Sequence, residues 1–341
     1  MKKIAVRFAI SLVVAIILLW WVKKEGISII PPAEHFSEIS WWAIPVYVIS
    51  LFGVHFFRAY RVDYLIKPLA KVSLRKLILL NFASFLAIMI LPLRTGEFVR
   101  PYLFKKEAGI SMSAGMGIVA IERIIDGLIV SFWLSIALFT ISDSSNKYVV
   151  YLRFIPLSIF ATGLLFLILM IVFDEKMRKF VSWFASFSGH RMKNFALHVY
   201  DGFLNGLRTL PRKSTILGFL VYSLIYWGIN ALGVWGLAIG CKLDIGIEGA
   251  VAVVGILAVG IMLPTGPGYF GNFQASVLIA LSIFLDQSSI RTSGEAFIFI
   301  LFVCQGGIHV LAGLIGFADF RSSLKGIVTA PESLEEWEDV P

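Results

Sequence analysis

Glu122, Arg123 and Asp126 interrupt an apolar run that otherwise extends from Met112 to Ile141. A charge in hydrocarbon costs about 2.5–3.5 kcal/mol on insertion scales, so such residues pair or line a polar cavity. Glu122 and Asp126 are four residues apart and share a helix face; Arg123 is the next residue round from Glu122. One arginine cannot neutralise two acids. A second cluster supplies the balance. An apolar run ends in Leu91-Pro92-Leu93 and is followed by Arg94, Thr95, Gly96, Glu97 and, after two apolar residues, Arg100. Arginine presents a planar fork of donors suited to phosphate. Thr95 and turn amides can add neutral hydrogen bonds, Gly96 permits close backbone approach, and Glu97 can pair with either arginine. These types support recognition of a phosphate-bearing group or a proton-responsive gate. The alternative is a structural ion-pair network.

A third cluster contains Pro264, Gly266, Gly268, Gly271, Asn272 and Gln274. Its glycines match G-x-G-x-x-G formally. They follow a membrane-type apolar run rather than a strand, and Pro267 lies among them, so a nucleotide site is rejected. The segment reads as an unwound membrane turn whose backbone lines a cavity, with Asn272 and Gln274 adding polar contacts. No Ser/His/Asp or Cys/His constellation is visible. Cys241 and Cys304 carry no metal-ligand spacing. No catalytic residue, metal or cofactor is therefore assigned. His55 and His309 lie in apolar helices and read as satisfied packing residues. Asn81, Asn230 and Gln305 read as interhelical hydrogen-bond partners.

The elements that must hold these clusters are membrane helices. Hydrophobic residues make up 58% of the chain and charged residues 15%, with a mean hydropathy of +0.85. A soluble domain carries about 25% charged residues. Apolar segments lie at 4–22, 41–57, 77–93, 112–141, 150–173, 214–239, 249–263, 273–285 and 294–318. The first reads as a retained helix, because no small-residue cleavage site follows it. The net charge is +8, and most of the 30 Lys and Arg fall in 2–7, 58–76, 105–106, 176–213 and 321–325. The excess of positive charge in cytoplasmic loops places these stretches and both termini inside. Topology then accounts for the basic charge without nucleic acid.

With those stretches inside, not every segment can cross. Segment 77–93 must begin and end on the cytoplasmic side, and 249–285 must leave from and return to the outside. A 15-residue arm such as 77–91 spans roughly 22 Å, short of the ~30 Å core. The expected fold is all-α and polytopic, with about six full spans and two re-entrant helical hairpins. The hairpins belong to an inverted repeat of units 41–141 and 214–318 within one membrane domain, 1–320. Residues 174–213 form cytoplasmic amphipathic helices at the lipid interface, with Phe180, Trp183, Phe184 and Phe187 at helical spacing. Residues 321–341 form an acidic cytoplasmic tail.

The sequence Leu91 to Pro101, the run Glu122-Arg123-Ile124-Ile125-Asp126-Gly127 and the late stretch Leu263 to Gly271 together resemble the flippase-like membrane family. That family includes the transmembrane region of lysylphosphatidylglycerol synthases. The resemblance covers about 40 to 320. It implies lipid translocation between leaflets of a prokaryotic inner membrane, with anionic or phosphate-bearing lipids as partners and a biosynthetic enzyme as a further possible one. No soluble aminoacyl-transferase domain is expected after residue 320, so the synthase activity is not carried over. The competing expectation is a membrane glycosyl- or acyltransferase, or an accessory subunit of one. A structural scaffold comes third.

Overall fold

The computed structural model describes residues 2–140, 147–187, 189–208, 213–263 and 266–320. The protein is an all-α polytopic membrane protein. Helices at 43–66, 147–172, 216–240 and 287–320 are long and apolar enough to cross a bilayer.

Helix α1 (Lys2–Lys24) is followed by a 3₁₀ turn (Ala33–Phe36) and α2 (Ala43–Ile66). Next come α3 (Leu74–Ile90), a 3₁₀ turn (Pro92–Phe98) and α4 (Val99–Ala108). Then follow α5 (Met112–Phe139), α6 (Lys147–Val172), α7 (Asp174–Ser186) and α8 (His190–Arg208). The second half holds α9 (Lys213–Gly240), α10 (Ile247–Gly260), a turn containing Pro267–Tyr269, and α11 (Asn272–Leu281). Helix α12 (Gln287–Ser289) passes through a π-helical turn (Ile290–Gly294) into α13 (Glu295–Phe320).

Local chemistry sets the breaks. Ser73 caps α3 by accepting from the Lys76 amide at 3.4 Å, and Ser111 caps α5 by accepting from the Ala114 amide at 3.3 Å. Pro92 forces Leu91 into an extended conformation, so α3 stops there. The helices on either side of the two internal turns are short: α3 has 17 residues, α4 10, α10 14 and α11 10. None exceeds about 26 Å, whereas the 28 residues of α5 reach about 42 Å.

Helix α2 lies along α9, and α3 lies along α13. Small residues allow the close approach. A methyl group added at Gly316 would stand 2.6 Å from the Leu79 carbonyl oxygen, so α13 packs almost onto the α3 backbone. A large core joins α2, α9, α10, α11 and α13 around Tyr47, Trp227, Val253, Phe273 and Phe297. A second core at the start of α3 joins α2, α4 and α5 around Ile66, Leu80, Phe104 and Ile118.

Two expectations need adjustment. The segment expected to end at residue 57 continues as helix to Ile66. Arg58 and Arg61, grouped with a basic cytoplasmic stretch, are buried inside the bundle. The stretch 174–213 is indeed two helices over its described part, tied by Arg178 and Asp201 at 2.8 Å. Phe180, Trp183, Phe184 and Phe187 lie exposed on α7. Residues 209–212 and the acidic tail 321–341 lie outside the described residues.

Candidate functional site

The charges of α5 are shared among partners from four other elements. Arg61 of α2 donates to both carboxylate oxygens of Asp126, at 2.5 and 2.7 Å, and to the Ser223 hydroxyl of α9 at 2.9 Å. The Trp227 indole of α9 donates to Asp126 at 3.0 Å. Arg61 also lies 3.7 Å from Glu122, whose other oxygen is 2.7 Å from Arg100 of α4. Arg123 turns the other way and donates to Glu97 at 2.9 Å. Glu97 is held from its other side by Arg94.

Arg123 pairs with neither Glu122 nor Asp126. Arg100, from the second cluster, meets Glu122, and Arg61 meets both acids, because α2 and α4 bring guanidinium groups onto the α5 face that carries them.

The turn after α3 is built to hold Arg94 and Glu97. Thr95 donates to the Pro92 carbonyl at 2.9 Å and closes the turn. A Cβ at Gly96 would stand 2.3 Å from the Ala87 backbone, so only glycine lets the turn fold back on α3. Arg94 adopts a left-handed backbone conformation with φ 58°. Its guanidinium also donates to the Ile261 carbonyl just past the end of α10. The turn after α3 and the end of α10 are thereby tied through one side chain.

Between these ends lies a cavity of about 80 Å³. Its polar wall consists of Arg58, Arg94, Arg123, Asp126, Tyr226 and Tyr269, and its apolar wall includes Phe85, Ile88, Phe160, Ile261 and Met262. The space suffices for several water molecules. Of the sequence-expected residues, Arg94, Arg123 and Asp126 meet here. Arg100, Glu122 and Glu97 stand behind them in the ion-pair network.

The residues of the second turn shape it instead. Asn272 donates to the Gly260 carbonyl at 3.1 Å, capping the end of α10, and Gln274 accepts the Gly271 amide at 3.0 Å. Gly268 and Gly271 take φ values of 73° and 84°. Gly266 and Gly271 lie against Ala15 of α1, where an added Cβ would come within 2.6 and 2.8 Å of that residue. Pro264 lies outside the described residues.

Four contributors escaped sequence reading: Arg58, Arg61, Tyr226 and Trp227. Their signal was present. Arg58 and Arg61 are one helical turn apart within a 24-residue helix, and Arg58 alone had seemed to end the apolar run. His55 and His309 were expected to be satisfied packing residues. They touch each other, and neither ring nitrogen of His55 has a hydrogen-bond partner among the described residues.

Residues 8–313 match the family described as lysylphosphatidylglycerol synthase TM region. The chain belongs to that family. The match is to the membrane region of those synthases, not to their aminoacyl-transferase domain. No curated protein and no solved structure matches the chain. Among the described residues, no group of three or more His, Cys, Asp or Glu is placed to hold a metal ion.

Proposed function

We propose that this protein is a lipid flippase or lipid-binding transporter that receives a phosphate-bearing headgroup in the cavity between its two hairpin ends. Membership of the lysylphosphatidylglycerol synthase TM region family supports lipid handling. The single observation that carries the headgroup reading is Arg58.

Arg58 is only 9% exposed, faces the cavity, and has no carboxylate within salt-bridge distance among the described residues. Its guanidinium lies on the Phe85 ring, 3.9 Å from the centroid. The cluster around it holds Arg58, Arg61, Arg94, Arg100 and Arg123 against Glu97, Glu122 and Asp126. Every acid is already engaged by arginine, and two positive charges are left over. A buried cation without a counter-charge is costly, and an anionic ligand removes that cost. A phosphate headgroup on Arg58, Arg94 and Arg123 fits this imbalance. A lysylated headgroup, whose ammonium groups outnumber its phosphate, does not.

The membrane arrangement belongs to the same reading. Six full spans are α1, α2, α5, α6, α9 and α13, with α3–α4 and α10–α11 as re-entrant hairpins entering from opposite sides. Units 41–141 and 214–318 form the inverted repeat, and both termini face the cytoplasm of a prokaryotic inner membrane. Helices α7 and α8 lie at the inner interface, with the exposed aromatic residues of α7 in the acyl boundary.

The test is leaflet exchange in reconstituted vesicles, with fluorescent phosphatidylglycerol, phosphatidylcholine and lysylphosphatidylglycerol compared. Phosphatidylglycerol should exchange fastest, and Arg58→Leu should remove most of its advantage over phosphatidylcholine. If folded Arg58→Leu protein keeps the wild-type ranking, the cavity is not the headgroup site.

A further inference from the structure

His55 of α2 and His309 of α13 meet inside the bundle with ring centroids 4.9 Å apart and planes at 71°. They are 3% and 9% exposed. Phe82 and Phe85 of α3 close the remaining side. His309 Nδ1 is 2.5 Å from the Gln305 carbonyl oxygen. A carbonyl only accepts, so Nδ1 carries the hydrogen and the lone pair of neutral His309 lies on Nε2.

Among the described residues, neither ring nitrogen of His55 has a hydrogen-bond partner, and on α3 the same holds for both side-chain polar atoms of Asn81, which is 1% exposed. Asn81 lies one turn before Phe85 on α3. Buried polar groups are normally satisfied by protein or by bound water. The two unpartnered His55 nitrogens and Nε2 of His309 thus leave basic lone pairs inside the bundle.

Phe85 links the pair to the cavity: it lines the cavity, touches both histidines and carries the Arg58 guanidinium. Arg58 is also one helical turn beyond His55 on α2.

We infer that His55 and His309 form a proton-binding site coupled to the anion site through Arg58. Hydronium delivers the proton: its O–H bond breaks, an N–H bond forms at an imidazole lone pair, and water is left behind. The pair gains one positive charge. Arg58 opposes that charge while the cavity holds no anion. An anionic headgroup on Arg58 removes the opposition. Proton and anion thus bind together, and by linkage each tightens the other by the same factor, of the order of tenfold. Movement of the anionic lipid would then draw on a proton gradient.

The groups facing the pair come from several elements. Arg58 faces it from α2, and Tyr226 of α9 stands against Arg58 at 5.5 Å. On α13, Gln305 and Cys304 lie one turn before His309. The charged residues of α3, Arg75 and Lys76, sit in its first turn and are paired with Asp319 and Glu107. Arg94, at the end of the α3 hairpin, is paired with Glu97. Arg58 is accordingly the cation through which the pair and the cavity communicate.

The transport consequence rests on the anionic-headgroup reading; the proton site is tested separately. The full chain, with ¹⁵N-labelled imidazoles, is placed in phosphatidylglycerol or phosphatidylcholine nanodiscs and followed by NMR. His55→Gln and His309→Gln spectra assign the signals. The pair should take up a proton about one pH unit higher in phosphatidylglycerol than in phosphatidylcholine, the shift that tenfold coupling gives. Neutral rings in both lipids, or the same titration in both, overturns the inference; this measurement uses wild-type protein, so no variant need fold for it. In vesicles, an imposed pH gradient should change phosphatidylglycerol exchange about tenfold in wild type and not in His309→Gln. An intact gradient response in folded His309→Gln also overturns it. Lipid-dependent protonation without any lipid exchange supports the coupled site and removes the transport reading instead.

Discussion

Arg61 and Asp126 form a two-pronged ion pair at 2.5 and 2.7 Å with the arginine side chain wholly withdrawn from solvent. The pair joins α2 to α5, and Ser223 and Trp227 of α9 complete its hydrogen bonds. Such a pair contributes little net stability over an apolar substitute, but losing one member strands the other.

Arg61→Met should therefore destabilise the protein by about 3–5 kcal/mol, because Asp126 and Glu122 lose a shared cation. Thermal unfolding in detergent measures this. The exposed Arg178–Asp201 pair on α7 and α8 provides the contrast: Arg178→Ala should leave the unfolding temperature nearly unchanged. Similar losses for the two variants would show that the Arg61 pair is not desolvated as described.

Arg123→Leu should be milder than Arg61→Met. Glu97 keeps Arg94, and the two α5 acids keep Arg61 and Arg100. The protein should fold and insert, while preference for phosphatidylglycerol over phosphatidylcholine falls in the vesicle assay. Unfolding as severe as that of Arg61→Met would mean that Arg123 holds the structure rather than the cavity wall.

Gly96→Ala should damage the first hairpin. The new methyl would stand 2.3 Å from the Ala87 backbone, so the turn must move away from α3. The expected loss is roughly 1–3 kcal/mol, accompanied by separation of Arg94 from the Ile261 carbonyl. Cysteine crosslinking between the two turns would report that separation. Unchanged crosslinking and unfolding temperature would contradict the close packing.

The proposed topology predicts that a cysteine at Lys105 is labelled by impermeant reagent from the cytoplasmic side. A cysteine at Ser289 should be labelled from outside. Lys105 is exposed in the fold and Ser289 is half-buried. Labelling of position 105 from outside alone would reverse or abolish the proposed hairpins.

Much of this protein was legible in the chain. Apolar runs announced helices, since hydrocarbon demands internally satisfied backbone. Pro92 marked the end of α3 because it denies the preceding residue a helical conformation. Gly96 marked a close approach, and Arg94, Arg123 and Asp126 stood out because hydrocarbon penalises charge.

Pairing was not legible. It depends on which helix faces meet, and those faces lie far apart along the chain. Arg61 finds Asp126 65 residues away, and Arg94 reaches Ile261 across 167. Arg58 and Arg61 read as the edge of a cytoplasmic stretch because a charge normally ends an apolar segment. Only the packing of α2 against α5 and α9 makes them interior. The sequence by itself determined the class of protein, the main breaks and the kind of charge held within it. The tertiary structure alone decided which arginines are consumed by acids, which one is left facing the cavity, and that His55 and His309 touch.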